Sequence, residues 1–334
     1  MRTLPSATAW SAVAAAAAAL LVAPSSAPAA ERSGGAHAQL SRSATPRCFG
    51  AAARDPRRPC DNRRRRLKVT PTPDEALLTP NLACRSDAVS GVVRLCAFGL
   101  PAAEARETVA VVGDSHAAHW RAALAVVARA KRWRVVELGT PHCPFSLATP
   151  DSGPDVAAWC PAWNQGVLEW LAANPELRTV FMSANARAPI VVPRGRTELA
   201  ERVDGYVRAW QLLPASVQRI IVLRDVPMDR TRTQECVRRA IARRKPAGRV
   251  CAVPRRSALP PDAEVAAAKR LRARGARVVD LTRHFCGRRH CFPVVGGVLV
   301  HRDADHLTQL FARTLGPFVL RRVNRLLGAT ASAR

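Results

Sequence analysis

Apolar residues gather along the chain in five short runs: "TVAVVG", "WRVVELG", "RTVFMSA", "RIIVLRDVP" and "ARVVDLT". Each is rich in Val, Ile or Phe and is followed by Gly, Asp, Ser or Pro, the signature of a strand buried on both faces. Between the runs lie helical patterns over His116–Lys131, Gln165–Ala173, Glu198–Leu213 and Asp262–Arg274. Strands alternating with helices predict an α/β domain, a parallel sheet covered on both faces, with its main body over residues 108–327. A last helix is expected after Thr308, a good N-cap, with Leu310, Phe311, Leu315, Phe318 and Val319 on its apolar side. Pro317 should kink that helix or restart it. No internal repeat is present.

The pattern breaks down before the first run. Residues 1–30 carry Arg2, an Ala-rich apolar run from Trp10 to Val22, then "APSSAPAAER". This is the charged, apolar and small-residue order of a secretory leader, with cleavage expected after Ala29 or Ala30. A retained N-terminal anchor is the alternative, although the apolar run is short for a membrane span. Residues 31–66 read as a basic, poorly ordered lead. Residues 67–107 read as a small covering segment, and 328–334 as a tail.

Export makes the cysteines legible. There are ten, and an oxidising compartment favours disulfides. Connectivity does not follow from sequence. Nearest-neighbour pairing is the simplest arrangement: Cys48–Cys60, Cys84–Cys96, Cys143–Cys160, Cys236–Cys251 and Cys286–Cys291. The stretch "HFCGRRHC" offers His284, Cys286, His290 and Cys291 to a zinc ion, but a fully paired set favours the disulfide, and neither metal nor cofactor is expected.

Charge adds one choice. Lys and Arg number 52 against 25 Asp and Glu. The excess suits peripheral contact with an anionic envelope polymer or lipid surface, or else reflects a GC-rich genome. Nucleic acid is disfavoured by export and by an aromatic content of 5%, which leaves few stacking platforms.

Two short motifs carry chemistry. In "VAVVGDSHAAHW" a buried strand ends in Gly and turns into a helix, so Ser115 falls at the carboxyl end of a strand and the amino end of a helix. A serine there is either a helix cap or a nucleophile, and a nucleophile needs a base with a group that orients it. "DADHLT" supplies both, with Asp303 and His306 three residues apart. A neutral imidazole as base predicts a rate step near the ordinary histidine pKa, about 6 to 7.

Together these blocks resemble the first and last signatures of the SGNH-type serine hydrolases. In particular they resemble the GDSH-containing extracytoplasmic domain fused to acyltransferase family three membrane proteins. "GTPHCPFSL", "AAWCPAWNQGVLEWL", "ACRSDAVSGVVRLCAFG" and "FCGRRHCFPVVGGVLVHRDADHLT" extend the likeness over roughly residues 80–327. It implies a three-layer α/β/α, flavodoxin-like fold with a mostly parallel five-stranded sheet and a small disulfide-clipped N-terminal extension. It implies Ser115 as nucleophile, His306 as base and Asp303 as orienting carboxylate. Asp305 is the less favoured orienter, since adjacent side chains tend to diverge. Backbone N–H of Ser115, with Gly139 and Asn185, would form the oxyanion hole, although "SANAR" lacks the Gly-x-Asn-Asp pattern of many relatives. His116 and His119 read as helix-surface or locally hydrogen-bonded residues, and His301 has no assigned role.

The function implied is an exported serine O-acyl esterase or O-acyltransferase acting on a cell-envelope glycan through an acyl-serine, with a separate membrane acyltransferase as a candidate partner. The rival is a catalytically silent envelope- or glycan-binding module on the same fold.

Overall fold

The computed structural model describes residues 47–90, 92–229 and 232–331. The expected leader at 1–30, the first part of the expected basic lead and the last three residues lie outside these.

The five apolar runs form strands β3 (Glu107–Gly113), β4 (Trp133–Gly139), β5 (Thr179–Ser183), β6 (Arg219–Leu223) and β7 (Ala276–Val279), all parallel, in the order β4-β3-β5-β6-β7. The sheet has seven strands rather than five. An antiparallel hairpin, β1 (Arg85–Ser90) and β2 (Val93–Gly99), is added at the β4 edge. The segment expected to cover the sheet therefore extends it, because β2 pairs along β4 from Leu95↔Leu138 to Gly99↔Arg134.

Alternation along the strands divides the core in two. Val109 and Val111 of β3 face the layer of α2 (Arg121–Lys131) and α7 (Gln309–Ala331), against Leu124, Val127, Phe311 and Leu315. Ala110 and Val112 face α3 (Pro154–Ala173), α4 (Glu198–Gln211) and α6 (Ala263–Arg270), against Trp163, Leu171, Trp210 and Ala267. This is the α/β/α sandwich that apolar runs flanked by amphipathic helices require.

Three helices differ from the sequence expectation. The first divides into α1 (Ser115–Ala118) and α2. The second begins at Pro154, whose fixed φ suits a first helical turn, well ahead of Gln165. The last runs unbroken through Pro317, capped by Thr308 Oγ1 accepting from Phe311 N at 3.1 Å. A further helix, α5, spans Thr233–Ala242.

All ten cysteines are paired, in the five local couples expected. With Cys286 and Cys291 joined to each other and His284 Nδ1 3.1 Å from the Ala51 carbonyl, the loop offers zinc no thiolate. Residues 47–66, expected to be poorly ordered, are built into the fold. Ala51 is fully buried, its N–H donates to Thr314 Oγ1 at 3.0 Å, and Arg321 reaches Asp55 at 3.0 Å. The reason is a small apolar patch around Phe49 and Ala51 that packs on the main core, clipped by Cys48–Cys60.

Candidate active site

The turn out of β3 is forced by contact. Gly113 has φ +153°, and a Cβ there would lie 1.9 Å from the Ser183 carbonyl oxygen, so only glycine lets β3 and β5 run this close. Asp114 then caps α1, accepting from His116 N at 2.8 Å, while its other oxygen accepts from Asn185 N at 2.9 Å. That one buried carboxylate ties the serine turn to the loop after β5. Ser115 becomes the first residue of α1, where backbone N–H groups have no acceptor within the helix.

His306 arrives from a closed loop before α7. Arg302 N donates to the His306 carbonyl at 2.9 Å, and Asp303 Oδ1 accepts from the N–H groups of Asp305 (3.1 Å) and His306 (2.8 Å). The structure brings the three expected residues together: His306 Nε2 lies 2.8 Å from Ser115 Oγ, and Nδ1 lies 3.0 Å from Asp303 Oδ2. Asp305 does not diverge. The Asx-type turn made by Asp303 curls the chain back, placing Asp305 Oδ1 3.1 Å from the same Nδ1. Asn185 Nδ2 holds Asp305 Oδ2 at 3.2 Å.

His116 and His119 are buried, not surface residues. His116 Nδ1 is 2.6 Å from Asp225 Oδ1, and its Nε2 is 3.7 Å from Asp305 Oδ2. Asp225 is in turn fixed by the N–H groups of Ala186 and Val226, each at 2.8 Å. Asp114 and Asp225 escape a sequence reading because their partners are far along the chain. The available signal was placement: each is a carboxylate at the carboxyl end of a parallel strand, where open sheets build sites. His301, also buried, has Nδ1 3.4 Å from Asp229.

The electrostatics follow from these contacts. Burial acts to lower the pKa of His306, but hydrogen bonds to Asp303 and Asp305 outweigh it and raise the value to about 9. This displaces the step expected near an ordinary histidine. Burial likewise opposes charge on His116, yet the Asp225 carboxylate lifts its pKa well above the usual range. His119 is held well below that range by burial, then by the positive charges of His116 and His306. The neighbouring imidazoles of His116 and His306 keep Asp305 strongly acidic.

Donor atoms of His116, His119 and Asp225, and of His116, Asp305 and His306, lie within 4.8 Å of one another. The first set is a poor cradle for an ion. Its shortest pair is already a 2.6 Å hydrogen bond, well inside the ~3.3 Å edge of a tetrahedron built on bonds of ~2.0–2.1 Å. In the second, His306 is taken up by Ser115 and Asp303.

Of the expected oxyanion donors, Gly139 stands beside Gly113 in the β3–β4 ladder. Asn185 has its backbone N–H on Asp114 and one side-chain hydrogen on Asp305, leaving the second amide hydrogen. The arrangement can move a proton from a serine hydroxyl to an imidazole held from behind by carboxylates, the geometry of nucleophilic acyl transfer.

A Ser-His-Asp constellation at the carboxyl edge of a parallel sheet places the molecule among serine hydrolase-type α/β proteins. The chain belongs to the SGNH domain family, in the form found fused to AT3 domains, whose family model matches residues 82–321. Esterase or acyltransferase chemistry goes with that family. Among solved structures, the chain is similar to the periplasmic domain of the Salmonella ser. Paratyphi A lipopolysaccharide acetyltransferase. The two are 13% identical, with a TM-score of 0.52 over 66% of this chain and 84% of that one. LAE5, an alpha/beta hydrolase enzyme from the metagenome of Lake Arreo, Spain, is 12% identical, with a TM-score of 0.38 over 69% of this chain and 98% of that one. No curated protein matches the chain. No helix among the described residues is long and apolar enough to cross a membrane.

Proposed function

We propose that this protein is an extracytoplasmic serine O-acyl esterase or O-acyltransferase whose substrate is an acylated cell-envelope glycan. The observation that carries the reading is the 2.8 Å contact between Ser115 Oγ and His306 Nε2, with Asp303 on the opposite ring nitrogen. His306 takes the hydroxyl proton as Ser115 Oγ attacks the acyl carbonyl. The oxyanion is met by the Ser115 N–H and the free amide hydrogen of Asn185, with Gly139 beside them. The glycan oxygen leaves with the proton from His306, and the acyl group stays on Ser115. Water or a second sugar hydroxyl, deprotonated by His306, then releases it.

The leader and the fully paired cysteines support an extracytoplasmic setting, and the likeness to a lipopolysaccharide acetyltransferase domain supports a glycan. A separately encoded membrane acyltransferase would supply acyl groups if transfer is the reaction. The test is labelling of the oxidised protein with a fluorophosphonate, mapped by mass spectrometry. Adduct at Ser115, with acetate released from acetylated envelope glycan, is the expected result; an unlabelled Ser115 favours the silent binding module. Envelope glycans of a deletion strain then separate the two reactions: gain of O-acyl groups marks an esterase, loss a transferase.

A further inference from the structure

Past the carboxyl edge of β6 the surface folds into a groove of about 620 Å³ walled by Arg224, Arg255, Arg256, Arg288, Arg289 and His290. A second groove, of about 510 Å³, shares Arg255 and Arg288 with it and adds Arg54 and Arg283. The nearby carboxylates are already taken, Asp280 by Arg224 at 2.9 Å and Asp55 by Arg321 at 3.0 Å. Among the described residues, the exposed guanidinium groups of Arg256, Arg288 and Arg289 have no hydrogen-bond or ion-pair partner.

Several surface arginines elsewhere do face carboxylates, as in Arg66–Asp61, Arg196–Asp204, Arg238–Asp74 and Arg239–Glu235. The lining of the 620 Å³ groove holds no carboxylate, so Arg256 and Arg289 share one cavity with no counter-charge in its wall, an arrangement that a bound anion relieves.

The grooves are joined to the candidate active site through the chain. Arg224 precedes Asp225, which holds His116 beside the serine. Arg187, two residues beyond Asn185, donates a hydrogen bond to the carbonyl of Ser257, between groove residues Arg256 and Leu259.

We propose that this double groove is a subsite for an acidic stretch of polysaccharide. Guanidinium groups hold carboxylate or phosphate groups along the glycan while a neighbouring acyl ester lies at Ser115. The inference rests on the glycan O-acyl reading above and narrows its substrate to an anionic polymer. Planar guanidinium forks suit both anions. Neither groove is lined by Phe, Tyr or Trp, so nucleic-acid bases find no stacking surface, and a concave, arginine-walled trough does not present an apolar face to a bilayer.

The test uses oxidised Ser115→Ala protein, so that binding is read without turnover, with fluorescent oligogalacturonide, a phosphodiester-linked oligosaccharide and neutral xylo-oligosaccharide as probes. Either or both acidic probes should bind, and salt should weaken them; which one binds tells carboxylate from phosphate. Arg256→Glu/Arg289→Glu should raise the Kd for the acidic probe about tenfold, a change of ~1.4 kcal/mol. Arg129→Glu/Arg313→Glu, with the same charge change on α2 and α7, should not. Equal effects of the two double variants, no preference over the neutral probe, or binding only to phosphatidylglycerol vesicles or DNA overturns the proposal. Fluorophosphonate labelling of the unmutated protein reports separately on the catalytic reading, so the two can fail independently.

Discussion

A histidine pressed by two carboxylates keeps its proton longer than a free one. If His306 is the base, its neutral form does the work, so a pKa raised to about 9 means that kcat/KM should climb as pH rises through about 9. Asp305→Asn removes one of the two causes and should move that step down toward ~6.5. Asp303→Asn should move it too and in addition cost roughly 10⁴ in kcat, because Asp303 makes the hydrogen bond that fixes the tautomer. A profile on wild type and both variants checks this; a step that Asp305→Asn leaves in place would mean its carboxylate is not felt by the ring. Ser115→Ala and His306→Ala should each lower acetyl-ester turnover by roughly 10⁵–10⁶, with the double variant no worse than either, as for groups acting as one unit. Ser115, Asp303 and His306 were legible in the sequence because their residue types sit in compact motifs. Asp225 and Asp114 were not, since their meaning depends on partners 109 and 71 residues away.

At the level of elements, the parallel strands could be read because burial on both faces writes an unbroken apolar run. The hairpin at the sheet edge could not. "RSDAVS" carries no such run, and its strand identity comes from pairing with β2. The turn from β3 into α1 is where element geometry and chemistry meet. Gly113→Ala pushes a methyl group into the Ser183 carbonyl, so stability should fall by more than ~2 kcal/mol, and any folded fraction should label poorly at Ser115. Denaturant unfolding together with probe labelling tests both halves. A second element-level contact is the Arg121–Glu137 pair, two hydrogen bonds of 2.5 Å that tie α2 to β4. Glu137 is almost fully buried, so Arg121→Ala should leave an uncompensated charge and cost about 3–5 kcal/mol, measurable as a lowered Tm. Arg121→Ala combined with Glu137→Leu should recover much of that loss.

For the molecule as a whole, the disulfides stand in for core that the loops lack. Cys143–Cys160 closes a separation of 17 residues between the loop after β4 and α3, and Asn164 Nδ2 contacts both sulfurs at 3.6 Å. Replacing both cysteines by serine should cost about 3 kcal/mol by the loop-entropy estimate, seen as an earlier unfolding midpoint under oxidising conditions and little change under reducing ones.

The spacing of those cysteines also orders events in time. A chain is made from its amino end, and no disulfide here spans more than 17 residues, so each ring can close on a freshly emerged segment without waiting for a distant partner. Ser115 and His306 are 191 residues apart, and Ala51 waits for Thr314 across 263. The covalent frame can therefore be complete while the machinery is still in two pieces, and an unfinished or truncated chain carries an oxidised scaffold with an idle serine. The Ser115–His306 contact can form only after the last cysteine pair, Cys286–Cys291, has been synthesised.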